Sequence, residues 1–429
     1  MKKIILLLIL LQGLAMSDGI QRVDVNGTKV PMVFEQSSYL PLVSMKIVFQ
    51  NSGALYDTTA GLASLSANLL MEGTAKDGSA KFATKLENSA ISLSVTAGIE
   101  TLSIEISSLK SQFPKATELL KELLLDPNYT EETLEYIKRQ KIGSLTQKKS
   151  DFDYIASLGL KEMLFDGTDM GRPRSGTIES ISTITIEQIK SYIGSHLGRD
   201  NAIVVIGGDI DLNSSTKILK DIVSILPIVD TKPSKPIDTS KKRETHISYQ
   251  ETQQAYIYFG SPFHLNYSDP KQYMAKVAGF ILGGSGFGSR LMEEIRVKRG
   301  LAYSAYGHFV HNHTTSYLSG YLQTKLENER EAKELIQSIV DKFIKDGITQ
   351  KELDATKEFL LGSEPLRNET LHQRLNRSYN DFYYDRDIGY SKKQLRDIES
   401  LKLDEINSFI KSHSEIADIS YSIVTKRQQ

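Results

Sequence analysis

Three histidines within six residues, His308, His311 and His313, are the densest set of metal-ligand types in this chain, which holds eight histidines in all. Imidazole binds zinc and moves protons near neutral pH. On a strand, His311 and His313 share a face while His308 points the other way; a loop can gather all three. One reading is therefore an autonomous metal-dependent hydrolase, with Glu100 or Glu105 as base, although nothing in the sequence positions either carboxylate. The other is an exposed, polar strand end after Gly307. A second pair of interest is Arg296 and Tyr303, seven apart. Arginine carries a permanent planar fork of donors, and a tyrosine hydroxyl can polarise an oxyanion. Their plainer reading is a solvated helix face beside Glu293 and a tyrosine in a core strand. The run Gly283-Gly284-Ser285-Gly286-Phe287-Gly288-Ser289 imitates a phosphate cradle. A dinucleotide fingerprint, however, needs a strand before the glycines and an acid about 20 residues on. Here the preceding run has helical spacing and 290–296 is a charged amphipathic helix. The glycines read as a tight helix-to-helix connection that needs positive φ. Cysteine is absent, which excludes a thiol nucleophile, disulfides and cysteine-ligated zinc.

The elements that must carry these residues come from a chain of 429 residues, enough for two or three domains at ~150 residues each. Hydrophobic residues at 40% and charged residues at 24% supply an ordinary core and surface. Lys+Arg 52 against Asp+Glu 53 excludes a generally basic nucleic-acid binder, while leaving room for a local patch. At the start, Lys2 and Lys3 precede an apolar run over 4–11, and Ala15-Met16-Ser17 offers small residues at a cleavage site. That is a secretory signal peptide over 1–17. Its apolar run falls well short of the ~20 residues that span a bilayer. The protein is expected to be exported, periplasmic or extracellular, without stable membrane insertion.

The chain repeats itself. Thr130, Leu134, Lys138 and Ile142-Gly143-Ser144 recur as Thr349, Leu353, Lys357 and Leu361-Gly362-Ser363. Ile178-Glu179-Ser180 and the run to Ser195-His196 recur as Ile398-Glu399-Ser400 and the run to Ser412-His413. Two matches in order, at nearly one spacing, imply two copies of a domain of roughly 200 residues. The expected division is a signal peptide at 1–17, a first domain at 18–228, a linker at 229–246 rich in Lys, Pro and Ser, and a second domain at 247–429. Within the copies, 42–49, 91–95, 102–106, 202–206 and 255–259 read as strands. The spans 62–71 and 274–281 read as helices, and Thr130, Thr185 and Thr349 as helix N-caps, with Gln188 and Glu352 completing capping boxes. The fold class is α+β: mostly antiparallel sheets with helices segregated to one side. The aromatic stretch 379–390 reads as core of the second domain or as a contact surface.

The stretch from Asp57 through Gly61-Leu62-Ala63 to Gly73-Thr74 resembles the metal-binding segment of the pitrilysin-type zinc peptidases, the family of the mitochondrial processing peptidase. Ile281-Leu282-Gly283-Gly284, Ser289-Arg290-Leu291 and the run from Lys298 through Gly300 to Tyr303-Ser304 resemble its second-domain signature. Gly176 to Ser180 and Asn201 to Asp209 match its middle stretch. The resemblance covers nearly the whole chain after the signal peptide and implies two sheet-and-helix domains closing as a clamshell around an extended peptide. Active members carry H-x-x-E-H, two zinc ligands and a water-activating glutamate, with a further glutamate about 76 residues on. This chain has Ser64 and Asn68 at the histidine positions, Ala67 at the base and Ser144 at the last ligand. Those groups are poor zinc ligands and no base. The resemblance therefore implies no catalytic or metal residue in this chain. Its Arg296 and Tyr303 match the family's substrate-binding pair. In two-chain members one chain holds the zinc and the other this pair, so the expected partner is a homologous zinc-bearing subunit in a heterodimer. The segment Gly98-Ile99-Glu100-Thr101-Leu102 resembles the edge where substrate adds as a strand. A third reading keeps the fold as a peptide-binding scaffold without catalysis.

Overall fold

The computed structural model describes residues 20–285, 288–387 and 389–427; the signal peptide expected at 1–17 lies outside them. Strands β1 (Gln21–Val25), β2 (Thr28–Gln36), β3 (Leu42–Gln50), β4 (Ser92–Ala97), β5 (Thr101–Leu109) and β6 (Ala202–Gly208) form one sheet in the order β1-β2-β6-β3-β5-β4. Strands β7 (Thr245–Tyr249), β8 (Gln254–Pro262), β9 (Ala302–His311), β10 (Ser316–Lys325) and β11 (Ser420–Thr425) form a second in the order β7-β11-β8-β10-β9. The second order repeats β2-β6-β3-β5-β4 strand for strand. Each sheet is antiparallel apart from one parallel pair, β2 with β6 and β7 with β11, which occupy equivalent places. The internal repeat in the sequence is thus a repeat of topology.

The first half carries helices α1 (Leu62–Leu70), α2 (Gly78–Glu87), α3 (Phe113–Leu125), α4 (Glu131–Lys148), α5 (Phe152–Leu164), α6 (Ile178–Thr183), α7 (Ile186–His196) and α8 (Leu212–Val223). The second carries α9 (Gln272–Gly279), α10 (Arg290–Met292), α11 (Glu329–Asp346), α12 (Gln350–Gly362), α13 (Leu371–Tyr383), α14 (Tyr390–Ser400) and α15 (Leu403–Ser412). The threonine caps form as their sequence requires. Thr130 accepts from the Thr133 amide, and Thr185 with Gln188 and Thr349 with Glu352 close reciprocal capping boxes. Between α8 and β7, residues 228–244 form no regular element.

Strand alternation sorts side chains onto two faces of each sheet. Met32, Ile47 and Val204 face the first half's own helices. Val33, Val48, Ile203 and Val205 face the other way and are covered by Leu375 and Tyr379 of α13, from the second half. In the second sheet Ile257, Phe259 and Leu318 face its own helices. Tyr258 and Tyr317 face Leu160 and Leu164 of α5, from the first half. Helices α5 and α13 are repeat equivalents, starting 219 residues apart (152 and 371), as α4 and α12 do (131 and 350). The two halves therefore exchange one helix each. At roughly 1.5–3 kcal/mol per fully buried large apolar side chain, these contacts join the halves firmly.

The glycine-rich segment is the expected connection between helices. Helix α9 widens into a turn at Phe280–Gly284, Ser289 caps α10, and a second wide turn follows at Glu293–Val297. Gly288 has φ of 109°. Gly283 has a different role: a Cβ there meets the Gly307 amide nitrogen of β9 at 2.4 Å, so the helix can pack this close to the strand only as glycine.

Candidate functional site

Helix α1 begins at Gly61, whose φ of 90° turns the chain inward. The Asp57 carboxylate accepts from the Gly61 and Ala63 amides at 3.0 and 2.7 Å, satisfying donors that a helix start leaves unpaired. Burial is the main cause that pushes this carboxyl up to about 6, against those amide hydrogen bonds. Leu62, Ala63, Leu65, Ala67 and Leu69 face the core, leaving Ser64 and Asn68 on the outer stripe. Four residues apart, they share one face, the arrangement that a two-histidine metal site needs. Helix α4 and the edge strand β4 pack against α1.

The side chain of α4 that reaches this face is Lys141, one turn before the exposed Ser144. Its ammonium donates to Ser64 Oγ at 2.7 Å. The internal repeat explains its placement. In α12, Leu353, Thr356 and Leu360 form the buried stripe; the equivalent positions in α4 are Leu134, Ile137 and Lys141. A lysine thus stands on a core-facing stripe, where its stem is covered and its head needs a polar partner. Burial, then repulsion from Lys148 and Arg174, holds its pKa below the ordinary lysine value. A hydroxyl, an amide and a methyl beside an ammonium ion do not suit zinc, which needs imidazole, thiolate or carboxylate. Among the described residues no group of three or more His, Asp or Glu is placed to hold a metal ion.

Arg296 and Tyr303 are brought together. The Gly300 and Leu301 amides donate back to the carbonyls of Arg296 and Ile295 at 3.0 and 2.9 Å, with Gly300 at φ of 63°. This reversal carries the chain into β9, the edge strand of the second sheet, and sets the Arg296 guanidinium 4.4 Å from the Tyr303 ring centroid. Tyr303 is 82% exposed and so is not a core tyrosine. The pair makes a cation stacked on an accessible phenol.

The histidine cluster does not converge. His311 Nδ1 pairs with Ser316 Oγ at 2.8 Å, and burial followed by Arg386 pushes its imidazole down to about 4. His313 lies in the loop after β9, where its Nε2 meets the Tyr383 carbonyl at 2.6 Å and its ring stacks on Tyr267. His308 is exposed on β9 opposite Ser319. Nor does either carboxylate serve the trio. Glu100 accepts from the Thr314 amide and hydroxyl at 2.8 and 2.6 Å and from the Tyr383 hydroxyl at 2.9 Å, while Glu105 lies 3.8 Å from His372. His311, His313, Glu100 and Glu105 are held by contacts outside the trio and His308 stands apart on the surface, so among the described residues the autonomous metal hydrolase has no assembled centre.

Two expectations need correction. Gly98, Ile99 and Glu100 form the turn between β4 and β5, and Thr101 and Leu102 belong to the interior strand β5; the sheet edge is β4. The aromatic stretch from 379 serves the join between halves: Tyr379 packs on the first sheet and Tyr383 binds Glu100 of the first half. Lys141 is the residue sequence reasoning missed. Its signal was a lysine at the repeat equivalent of a leucine.

Residues 32–177 match the model of the insulinase family, peptidase family M16, and residues 183–360 match the peptidase M16 inactive domain. The chain is 42% identical over 434 residues to the non-peptidase homolog YmxG of Helicobacter pylori, covering 100% of both chains. This chain belongs to peptidase family M16. It is also 25% identical over 267 residues to the uncharacterized zinc protease YmxG of Bacillus subtilis, covering 61% of this chain and 63% of that protein. Among solved structures, it resembles a peptidase M16 inactive domain from Pseudomonas fluorescens, with a TM-score of 0.88 at 22% identity over 96% of this chain and 98% of that one. It also resembles a protease from Helicobacter pylori, with a TM-score of 0.82 at 16% identity over 95% of this chain and 99% of that one. At these identities the likeness concerns the fold. The M16 fold matches the expected pair of mostly antiparallel sheet-and-helix domains, to which the structure adds the exchanged helices.

Proposed function

We propose that this M16 chain is the non-catalytic subunit of an exported two-chain zinc peptidase, contributing Arg296 and Tyr303 to a homologous partner that carries the zinc. One observation carries the reading: the metal position holds Ser64 and Asn68 with the Lys141 ammonium on Ser64 Oγ, while Arg296 and Tyr303 remain stacked at an accessible strand edge. The first cannot activate water through a metal. The second keeps donors suited to an extended peptide's carbonyl oxygens. The name of the Helicobacter pylori relative, a non-peptidase homolog, supports the loss of chemistry. The apolar run behind Lys2 and Lys3 supports export, and no described helix is long and apolar enough to cross a membrane.

The test is co-purification with a zinc-bearing M16 partner, followed by peptide turnover with Arg296→Ala and Tyr303→Phe. The subunit reading predicts turnover at least about tenfold lower while the complex still assembles, the scale of one lost charge-assisted contact. Unchanged turnover in an intact complex would leave a scaffold without a part in catalysis.

A further inference from the structure

A cavity of about 400 Å³ lies where α5 meets the second sheet, within the ~300–1,000 Å³ range of ligand pockets. The first half contributes Lys148, Tyr154, Lys161 and Arg174 to its wall; the second half contributes Tyr258 and Tyr317. No Asp or Glu among the described residues lines it. In a chain with a formal charge of -1, this concentration of cations is a matter of placement.

Among the described residues none of these cations forms an ion pair with a carboxylate. Arg174 is exposed and makes no hydrogen bond or ion pair among the described residues. Lys148 sits over the Tyr154 ring at 4.6 Å. Lys161 donates to the Arg172 carbonyl at 3.1 Å, and Glu162 beside it lines a neighbouring cavity. Lys141, two helical turns before Lys148 on the same face of α4, extends the row to Ser64 on α1. Burial, then repulsion by neighbouring cations, lowers the pKa of both Lys141 and Lys161, and the adjacent Glu162 offsets this only in part at Lys161. Tyr258, raised to about 12 by burial and then by Asp153, keeps its proton at neutral pH.

We infer that this row of cations, from Lys141 to the cavity wall at Lys148, Lys161 and Arg174, binds the carboxylates of an acidic, extended peptide. An anion there removes the mutual repulsion and gains charge-assisted hydrogen bonds. Seven residues of helix separate Lys141 from Lys148 by about 10 Å, which an extended chain covers in about three residues. Because α1 also packs on the edge strand β4, a peptide there has a sheet edge beside it. The inference deepens the subunit reading, on which it rests for the peptide's role as substrate, by naming its charge.

The test uses the full chain alone and a short fluorescein-labelled peptide of alternating Glu and Ala, with a Lys–Ala counterpart, read by fluorescence anisotropy. The acidic peptide is expected to bind, more weakly as salt rises, and the basic one not to bind. Arg174→Glu and Lys148→Glu should each weaken binding at least about tenfold, and Arg174→Gln less than Arg174→Glu. Arg174 is exposed and unpartnered, so its substitution leaves the fold intact. Equal binding of both peptides, no binding of the acidic one, or full affinity in the Glu variants would overturn the inference. Displacement by free glutamate at the same carboxylate concentration would reduce it to a simple anion site. Peptidase turnover enters none of these readings, so their failure is distinguishable from failure of the subunit assignment.

Discussion

Restoring the family's metal ligands should not restore tight zinc binding unless Lys141 is also removed. The perturbation is Ser64→His, Ala67→Glu, Asn68→His and Ser144→Glu, made once with Lys141 retained and once with Lys141→Met. The ammonium now lies 2.7 Å from Ser64 Oγ. A zinc held by an imidazole from that position sits roughly 4 Å from it, given Zn–N distances of about 2 Å. Two unit charges at 4 Å repel by about 1 kcal/mol in water and about 4 kcal/mol at an effective dielectric of 20, so a dication is penalised by about 2–8 kcal/mol. Deprotonation sets a ceiling. Neutralising a lysine of ordinary pKa 10.5 at pH 7 costs about 5 kcal/mol, and Lys141 lies below that pKa because it is buried. The net penalty is therefore about 2–5 kcal/mol, or roughly 30-fold to a few thousand-fold in affinity. Zinc titration against a chromogenic chelator measures the difference directly. The lysine-bearing variant should also release more protons on binding, which calorimetry in two buffers detects. Equal zinc affinity and equal proton release in the two backgrounds would refute the argument that Lys141 excludes the metal.

Three further perturbations test the packing around the site. Glu100→Ala removes the acceptor that ties the β4–β5 turn to Thr314 and Tyr383 across the halves. It should destabilise the protein by about 3 kcal/mol in urea unfolding, and a loss below about 1 kcal/mol would count against this join. Gly283→Ala drives a Cβ to 2.4 Å from the Gly307 nitrogen. A loss of ~1–3 kcal/mol by the same measurement is expected, against little change if the strand can give way. Asp57, 5% exposed, has its folded pKa raised from 3.8 to about 6, chiefly by burial. A raised folded pKa means the native state binds the proton more tightly, so this group's contribution is fully present below about pH 4 and is lost as pH rises through about 6. Asp57→Asn should abolish that slope, by as much as ~3 kcal/mol, in stability measured between pH 4 and 7. An unchanged slope would assign it to other groups.

Local pattern carried much of this protein. Alternation over 102–106 marked a half-buried strand, Thr185 with Gln188 closed a helix start, and two runs repeated in order revealed the duplication that both sheets share. The strand and the helix start depend on residues within one or two turns of each other, and the duplication on residue order alone, so they are written in the sequence. That Ser64 and Asn68, at the positions the resemblance gives to the ligands, and Ala67, at that of the base, are poor zinc ligands and no base was equally legible, because such chemistry belongs to residue type.

Other features depended on contacts that span the chain. The apolar stripes of α5 and α13 required burial but did not name the sheet, and each helix crossed to the other half. Three close histidines suggested one metal, yet His308 stands exposed on β9 while His311 packs on Phe263 and His313 between Tyr267 and Tyr384. Which strand forms the edge was settled by pairing, with β5 enclosed between β3 and β4. Lys141 shows the division most plainly. Its place on an apolar stripe is visible in the sequence. Its hydrogen bond to a residue 77 positions away arises only when α4 packs on α1, because a half-buried ammonium takes whatever acceptor the folded neighbours present.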